Sequence, residues 1–227
     1  MALAHSPKII TDGLVLCLDA GNPKSYPGSG TTWTDLSGNG NNGSLENGVG
    51  YNSGNGGSLV FDGVDDTVNF TYDLRSDWTY ECWALHNTVS GFAFLGQGPT
   101  TIRSGLHIWF RDGSNLRFGM YGNDTDALSL TTSTGVWYHY CFTYNHSTFL
   151  KQIYRNGVQL TGTPQQTQTS YIGTGTVRIG ATYSFGVSLS QGGSYANGRI
   201  ASSKLYTRVL TPQEIQQNYN ALKGRFQ

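Results

Sequence analysis

Charge is what this chain has least of. Asp, Glu, Lys and Arg together make up 12% of its 227 residues, about half the ~25% of an average domain. Acids and bases cancel, fourteen of each. The cations are scattered and form no stripe. Nucleic-acid binding needs clustered Lys and Arg to displace counterions, and an anionic membrane surface needs the same. Neither partner is expected.

Glutamate is scarcer still: Glu46, Glu81 and Glu214 are all there is. Glycoside hydrolysis calls for two carboxyl groups facing one bond, about 5–5.5 Å apart in retaining enzymes. Alternate residues of a strand achieve this because they share a face. None of the three glutamates has a second acid close by in the same strand. Asp65 and Asp66 are adjacent and would point opposite ways if extended. Asp124 and Asp126 have the right spacing, but the stretch Gly-Asn-Asp-Thr-Asp-Ala around them reads as loop. None of the five histidines sits in a recognisable nucleophile motif. No catalytic residues are expected, and a polysaccharide-degrading enzyme is the least favoured reading.

Cysteine is also sparse. Cys17, Cys82 and Cys141 each lie in an apolar, strand-like run. Three widely spaced thiols make neither a disulfide framework nor a zinc knuckle. They read as reduced thiols packed in a core, which suits a reducing compartment. No run of 18 apolar residues exists to cross a membrane. The opening Met-Ala-Leu-Ala-His-Ser-Pro-Lys has no apolar centre, so a signal peptide is not expected.

What the chain has in plenty is glycine and aromatics. Gly is 31 of 227 residues, about double its usual ~7% share. With the clusters of Asn, Ser and Thr, this implies many tight turns. Aromatic residues are 13%, enough for a large core. The stretch from Ser58 to Leu85 is the most telling. In Trp78 to Leu85, large apolar side chains fall on both faces of an extended chain, so the segment belongs deep in a sheet. Asp112-Gly113-Ser114-Asn115 and Arg155-Asn156-Gly157 separate strand-like runs and read as hairpin turns. Only the end looks helical. Thr211-Pro212-Gln213-Glu214 supplies an N-cap, a proline at the first helical position and a glutamate that completes a capping box. Ile215, Tyr219 and Leu222 then share a face, and Gly224 is placed to close the helix. The expectation is one all-β domain over 1–227, a two-sheet antiparallel sandwich. It has an N-terminal arm over 1–10 and a helix over 212–223.

Six stretches occur in order: DLSGNGNNGSL, SLVFDGVDDTVNF, WTYECWA, GVWYHYCFTYN, YRNGVQL and GRIASSKLYTRVLTPQEIQQNYNALKGRF. Together they resemble the laminin-G-like, concanavalin A-like lectin/glucanase superfamily, in particular the stand-alone versions among structural proteins of tailed phages, especially those of cyanobacteria. The resemblance covers about Thr11 to Phe226. It implies a jelly roll, and a non-catalytic virion protein: a capsid decoration, head fibre or tail-fibre component assembled in the host cytoplasm. It implies other virion proteins as partners, a homo-oligomer, and possible adhesion to a host-surface polysaccharide. The alternative is a free lectin.

Sugar recognition uses aromatic faces beside Asn, Asp and backbone donors. The candidates are Trp109, Tyr121, Asn123, Asp124, Tyr183 and Phe185. The superfamily resemblance also raises Ca²⁺, which takes six to eight oxygen ligands. Asp19, Asp35, Asn39, Asp62 and Asp65 supply such oxygens on turn-rich backbone. The last long strand, Gly198 to Ser202, lacks the acid that often follows it in similar sequences. Asp35, Asp62 and Asp65 serve equally well as turn caps.

Overall fold

The computed structural model describes residues 7–98, 101–160, 169–182 and 194–227. Two antiparallel sheets of eight strands each pack face to face, with a two-stranded ribbon beside them and one C-terminal helix. The all-β sandwich expected from the sequence is the fold observed. Among the described residues, no helix is long and apolar enough to cross a membrane.

The first sheet is built around Trp78–His86, whose nine residues are all buried. It is flanked by Trp137–Tyr144 and by the ten-residue strand Asn197–Tyr206. The long strand's free edge is shared. Its first half pairs with Ser58–Asp62 and its second half with Leu14–Asp19. Trp78, Tyr80, Cys82 and Ala84 face the second sheet, and Tyr80 lies nearly parallel to its cross-strand neighbour Phe142 at 6.4 Å. Burying each such side chain contributes on the order of 1.5–3 kcal/mol.

The other face of this sheet carries Glu81, Trp83 and Leu85, and the helix Pro212–Phe226 covers it. The capping box forms as expected: Thr211 Oγ1 accepts from the Glu214 amide, and the Glu214 carboxylate accepts from the Thr211 amide at 2.8 Å. The helix does not end at residue 223. It runs through Gly224 to Phe226, whose ring stacks on Trp83 at 4.3 Å and contacts Trp137 at 4.9 Å. An exposed helical glycine costs about 1 kcal/mol, less than burying a phenylalanine returns. The expected arm over 1–10 is described only from Pro7. There it lies on its own helix, through Gln217 to the Lys8 carbonyl and the Ile10 amide to Asn218.

The second sheet runs, in spatial order, Asp124–Ala127, Leu116–Met120, Leu106–Phe110, Ala93–Gln97, Thr176–Ile179, Thr67–Thr71, Gly43–Glu46 and Thr32–Trp33. Both hairpins read from the sequence are present. Asp112 caps its turn by accepting from the Ser114 and Asn115 amides. Asn156 and Gly157 take φ of 53° and 79°, as a type I′ turn requires. Gly-Asn-Asp-Thr-Asp-Ala departs from expectation. Asp124 to Ala127 is an edge strand, because Tyr121-Gly122 makes a tight turn and the chain returns along Leu116–Met120. All three cysteines are buried and unpaired.

Candidate functional site

The helix covers one outer face of the sandwich, and among the described residues no such element covers the outer face of the second sheet. In this sheet Trp33, Leu45, Val68, Phe70, Val177, Ile179, Leu106, Ile108, Phe118 and Ala127 point into the core, so their alternates point outward. Strand register lines these alternates up across the sheet. Thr32 pairs with Ser44, Ser44 with Asn69, and Asn69 with Arg178. Arg178 pairs with Gly96, Gly96 with His107, and His107 through Gly119 with Asp124. The result is one polar row from edge to edge, with a glycine on each side of His107.

Beside that row lies a second one, Trp109–Arg117–Asp126. Arg117 grips both acids. It binds Asp126 through Nε and Nη2, both at 2.8 Å, and reaches Asp124 Oδ2 through Nη1 at 2.7 Å. Planar guanidinium and planar carboxylate make this fork specific as well as strong. His107 Nε2 lies 3.3 Å from Asp124 Oδ1, and its Nδ1 lies 2.9 Å from the Gly105 carbonyl. A carbonyl only accepts, so Nδ1–H is the donor in that bond. Burial pushes the Asp124 carboxyl up, but the His107, Arg117 and Lys151 charges outweigh it and hold the group below the usual carboxylate range.

Two carboxylates on one face, two residues apart, is the arrangement the sequence had placed in a loop. Its electrostatics suit holding more than cutting. A general acid must keep its proton near neutral pH, whereas His107, Arg117 and Lys151 favour the ionised form of Asp124. The Asp66 carboxyl, in the Asp62–Thr67 corner and away from this face, is pushed upward, chiefly by burial. What remains is a half-exposed indole beside fixed, ionised acceptors. That pairing suits a pyranose or furanose: the ring face stacks and the hydroxyls donate.

Of the sequence candidates, Trp109 and Asp124 come together here. Tyr121 lies in the turn beyond Met120, with its amide bonded to the Gly105 carbonyl. Asn123 turns inward. It is buried, and its side-chain and backbone oxygens both accept from Lys151 Nζ, the former at 2.9 Å. Burial pushes that ammonium down to about 7. Tyr183 and Phe185 lie outside the described residues. Arg117 and His107 were missed. The Asp112 to Asn115 turn already fixed Phe110 opposite Leu116, and hence Trp109 opposite Arg117. Asp126 needed the second turn.

The five calcium candidates do not gather at one place. Asp19 binds Arg225 Nη1 at 2.6 Å. Asp35 is spent on its own loop: Oδ1 accepts from the Cys17 and Ser37 amides, Oδ2 from Ser37 Oγ and the Asn41 amide. Asn39 donates to Ser37 and to the Leu14 carbonyl. Asp62 and Asp65 lie together elsewhere, with Asp66 between the two sheets' ends.

A two-sheet antiparallel sandwich with one open polar face is the architecture of lectin-like modules. The chain belongs to the concanavalin A-like lectin/glucanase superfamily, whose Laminin_G_3 family model matches residues 54–216. No curated protein matches it by sequence. Among solved structures it is similar to domain 4 of AbnA, a GH43 extracellular arabinanase from Geobacillus stearothermophilus solved with arabinotriose. Identity is 15%, the match covers 91% of this chain and 98% of that one, and the TM-score is 0.67. It is also similar to botulinum neurotoxin type C, in a structure described by its interaction with two ganglioside molecules, with 15% identity, 94% and 52% coverage and a TM-score of 0.68. Trypanosoma rangeli sialidase with sialic acid is a third, at 16% identity, 98% and 36% coverage and 0.67. The chain spans about half of the toxin fragments it matches and a third of the sialidase. At such identities the likeness is one of fold.

Proposed function

We propose that this protein is a non-catalytic carbohydrate-binding module that takes its glycan on the outer face of the second sheet, across Trp109, Arg117, Asp124 and Asp126. The observation that carries the reading is the placement of a half-buried tryptophan and two arginine-held carboxylates on one sheet face. The family, which includes lectins, supports it. So do the sugar-bound states named for the arabinanase domain and the sialidase. The low surface charge suits a neutral, hydroxyl-rich ligand. Titration of purified protein against arabinan and bacterial exopolysaccharides tests it. Trp109→Ala is expected to weaken binding at least tenfold with the unfolding midpoint held. Release of reducing sugar from any of these polymers would overturn the non-catalytic reading.

A second reading concerns where the module works. The resemblance of the ordered motifs to those of tailed-phage structural proteins supports a place on a virion, as a capsid decoration, head fibre or tail-fibre component, bound to other virion proteins as a homo-oligomer. An uncharged surface offers little self-repulsion to dense packing. Mass spectrometry of intact particles with copy number is the measurement. High copy number is expected of a decoration and low copy number of a fibre tip; absence from particles leaves a free lectin.

A further inference from the structure

Lys151 is a buried cation whose partners lie on the other sheet. It is the first residue of the first-sheet strand Lys151–Arg155, is 3% exposed and shares the inward face of Ile153. Lysine is almost never this deep unless it is paired. Its Nζ stands 5.8 Å from the centre of the Phe118 ring. It donates to both oxygens of Asn123, to Oδ1 at 2.9 Å. The Asn123 carbonyl also accepts from the Met120 amide at 3.0 Å, which closes the hairpin around Tyr121-Gly122. That turn is not one that hairpins favour. Two-residue loops prefer type I′ or II′ turns, and both need positive φ at the first central residue. Here only the second, Gly122, has it, at 81°. The strand that follows begins at Asp124, so whatever holds the turn also places that carboxylate.

We propose that Lys151 is a positioning residue for the glycan face: from inside the sandwich it fixes the Tyr121-Gly122 turn and so orients Asp124 toward the sugar. The proposal rests on the reading of that face as a glycan site. Its grip depends on charge. Burial and Arg117 disfavour the ammonium, Asp124 and Asp126 favour it, and the balance leaves the group at about 7. His107 faces Asp124 from the other side. Above that pH the amine keeps two N–H donors. It loses the charge that strengthens its bonds to Asn123 and that helps hold Asp124 ionised. It also gains a lone pair. A cavity of about 60 Å³ beside Lys151 is lined by Thr125, Gln152 and Gln159. The Thr125 hydroxyl is buried with no partner, and Thr125 pairs with Phe118, over which Nζ stands. A neutral amine can accept from that hydroxyl and release Asn123, whereas an ammonium only donates. Glycan binding should therefore weaken as the pH rises.

The full chain, labelled with nitrogen-15, is followed by amide NMR from pH 6 to 8.5. In parallel it is titrated against arabinan and bacterial exopolysaccharides. The wild-type Gly122, Asn123 and Asp124 amides are expected to shift with one inflection near pH 7. Glycan affinity should fall about threefold across the same range. Lys151→Met keeps the stem over Phe118 and removes the charge. Its amides should show no such inflection, and its affinity should be flat at or below the alkaline wild-type level. If Lys151→Met does not fold, the wild-type profile alone decides. Wild-type amides and affinity that ignore pH overturn the role of Lys151, as does an inflection that persists in Lys151→Met. Failure of the wild type to bind any glycan overturns the reading of the face instead. Binding that Trp109→Ala loses but Lys151→Met matches at every pH overturns only the role of Lys151.

Discussion

Lys204 Nζ lies 3.0 Å from Glu81 Oε1 with both side chains sealed under the C-terminal helix. Around the same carboxylate stand His139 Nε2 at 3.4 Å and Asn218 Nδ2, donating from the helix at 3.0 Å. Burial pushes the Glu81 carboxyl up, yet Lys204 and His139 more than compensate and hold it at about 2. One of the three glutamates in the chain is therefore an anchor for the helix.

Breaking this pair leaves a buried charge without a counterion. Glu81→Leu strands the Lys204 ammonium and is expected to cost about 3–5 kcal/mol. The double variant Glu81→Leu with Lys204→Met removes both charges and is expected to be less destabilising than Glu81→Leu alone. Urea unfolding of the wild type, both singles and the double checks this. A double variant as unstable as the sum of the singles would mean that the two groups do not act as a pair.

His86 sets the response to acid. Its ring stands edge-on to Phe92, Phe94 and Phe110, with Nε2 3.0 Å from the Tyr140 hydroxyl. Burial, helped by Arg155, pushes it from 6.5 down to about 3. The unfolded chain therefore takes up this proton before the folded one does. Stability from the neutral ring is intact above pH 6.5 and is lost as the pH falls toward 3, at up to ~1.4 kcal/mol per pH unit. Glu81 has the same sign, but its window opens only below its unfolded value of 4.5. Denaturant midpoints at pH 7, 6 and 5 are expected to fall in the wild type and to change less in His86→Phe. An unchanged slope in that variant would assign the acid response to other groups.

The architecture could be read from the sequence wherever local chemistry and burial agree. Trp78 to Leu85 has large apolar side chains on both faces because one meets a sheet and the other a helix. The Thr211 capping box needs only four residues. Prediction failed where a partner distant in sequence decides. Gly224 looks like a helix end until Trp83 and Trp137 provide a place for Phe226. The Asp124 strand looks like a loop until Leu116–Met120 pairs with it. Glu81 is unremarkable in sequence, since Lys204, His139 and Asn218 come to it from three other elements. The binding face was half visible for the same reason. Trp109 announces itself, while Arg117 joins the two aspartates only after two hairpins have set the register.

That register gives Gly119 its importance. It sits between His107 and Asp124, and a Cβ built there would overlap His107 Nε2 and lie 2.6 Å from Asp124 Oδ1. Its backbone is not in the left-handed region, so alanine brings no dihedral strain and the conflict is purely with side-chain ends. The imidazole is the nearer of the two and must shift, at the expense of its bond to the Gly105 carbonyl. Gly119→Ala is therefore expected to separate His107 from Asp124 while Arg117 keeps its fork on Asp126. The cost in stability should be about 1 kcal/mol, within reach of a thermal melt. Glycan affinity, if the row beneath the sugar includes Asp124 in its present orientation, should fall about tenfold, a loss of ~1.4 kcal/mol. Titration of Gly119→Ala against the best polysaccharide ligand, alongside Trp109→Ala, reads this directly. Undiminished affinity in Gly119→Ala with loss in Trp109→Ala would confine the sugar to the Trp109–Arg117–Asp126 row and leave the His107 row as scaffold.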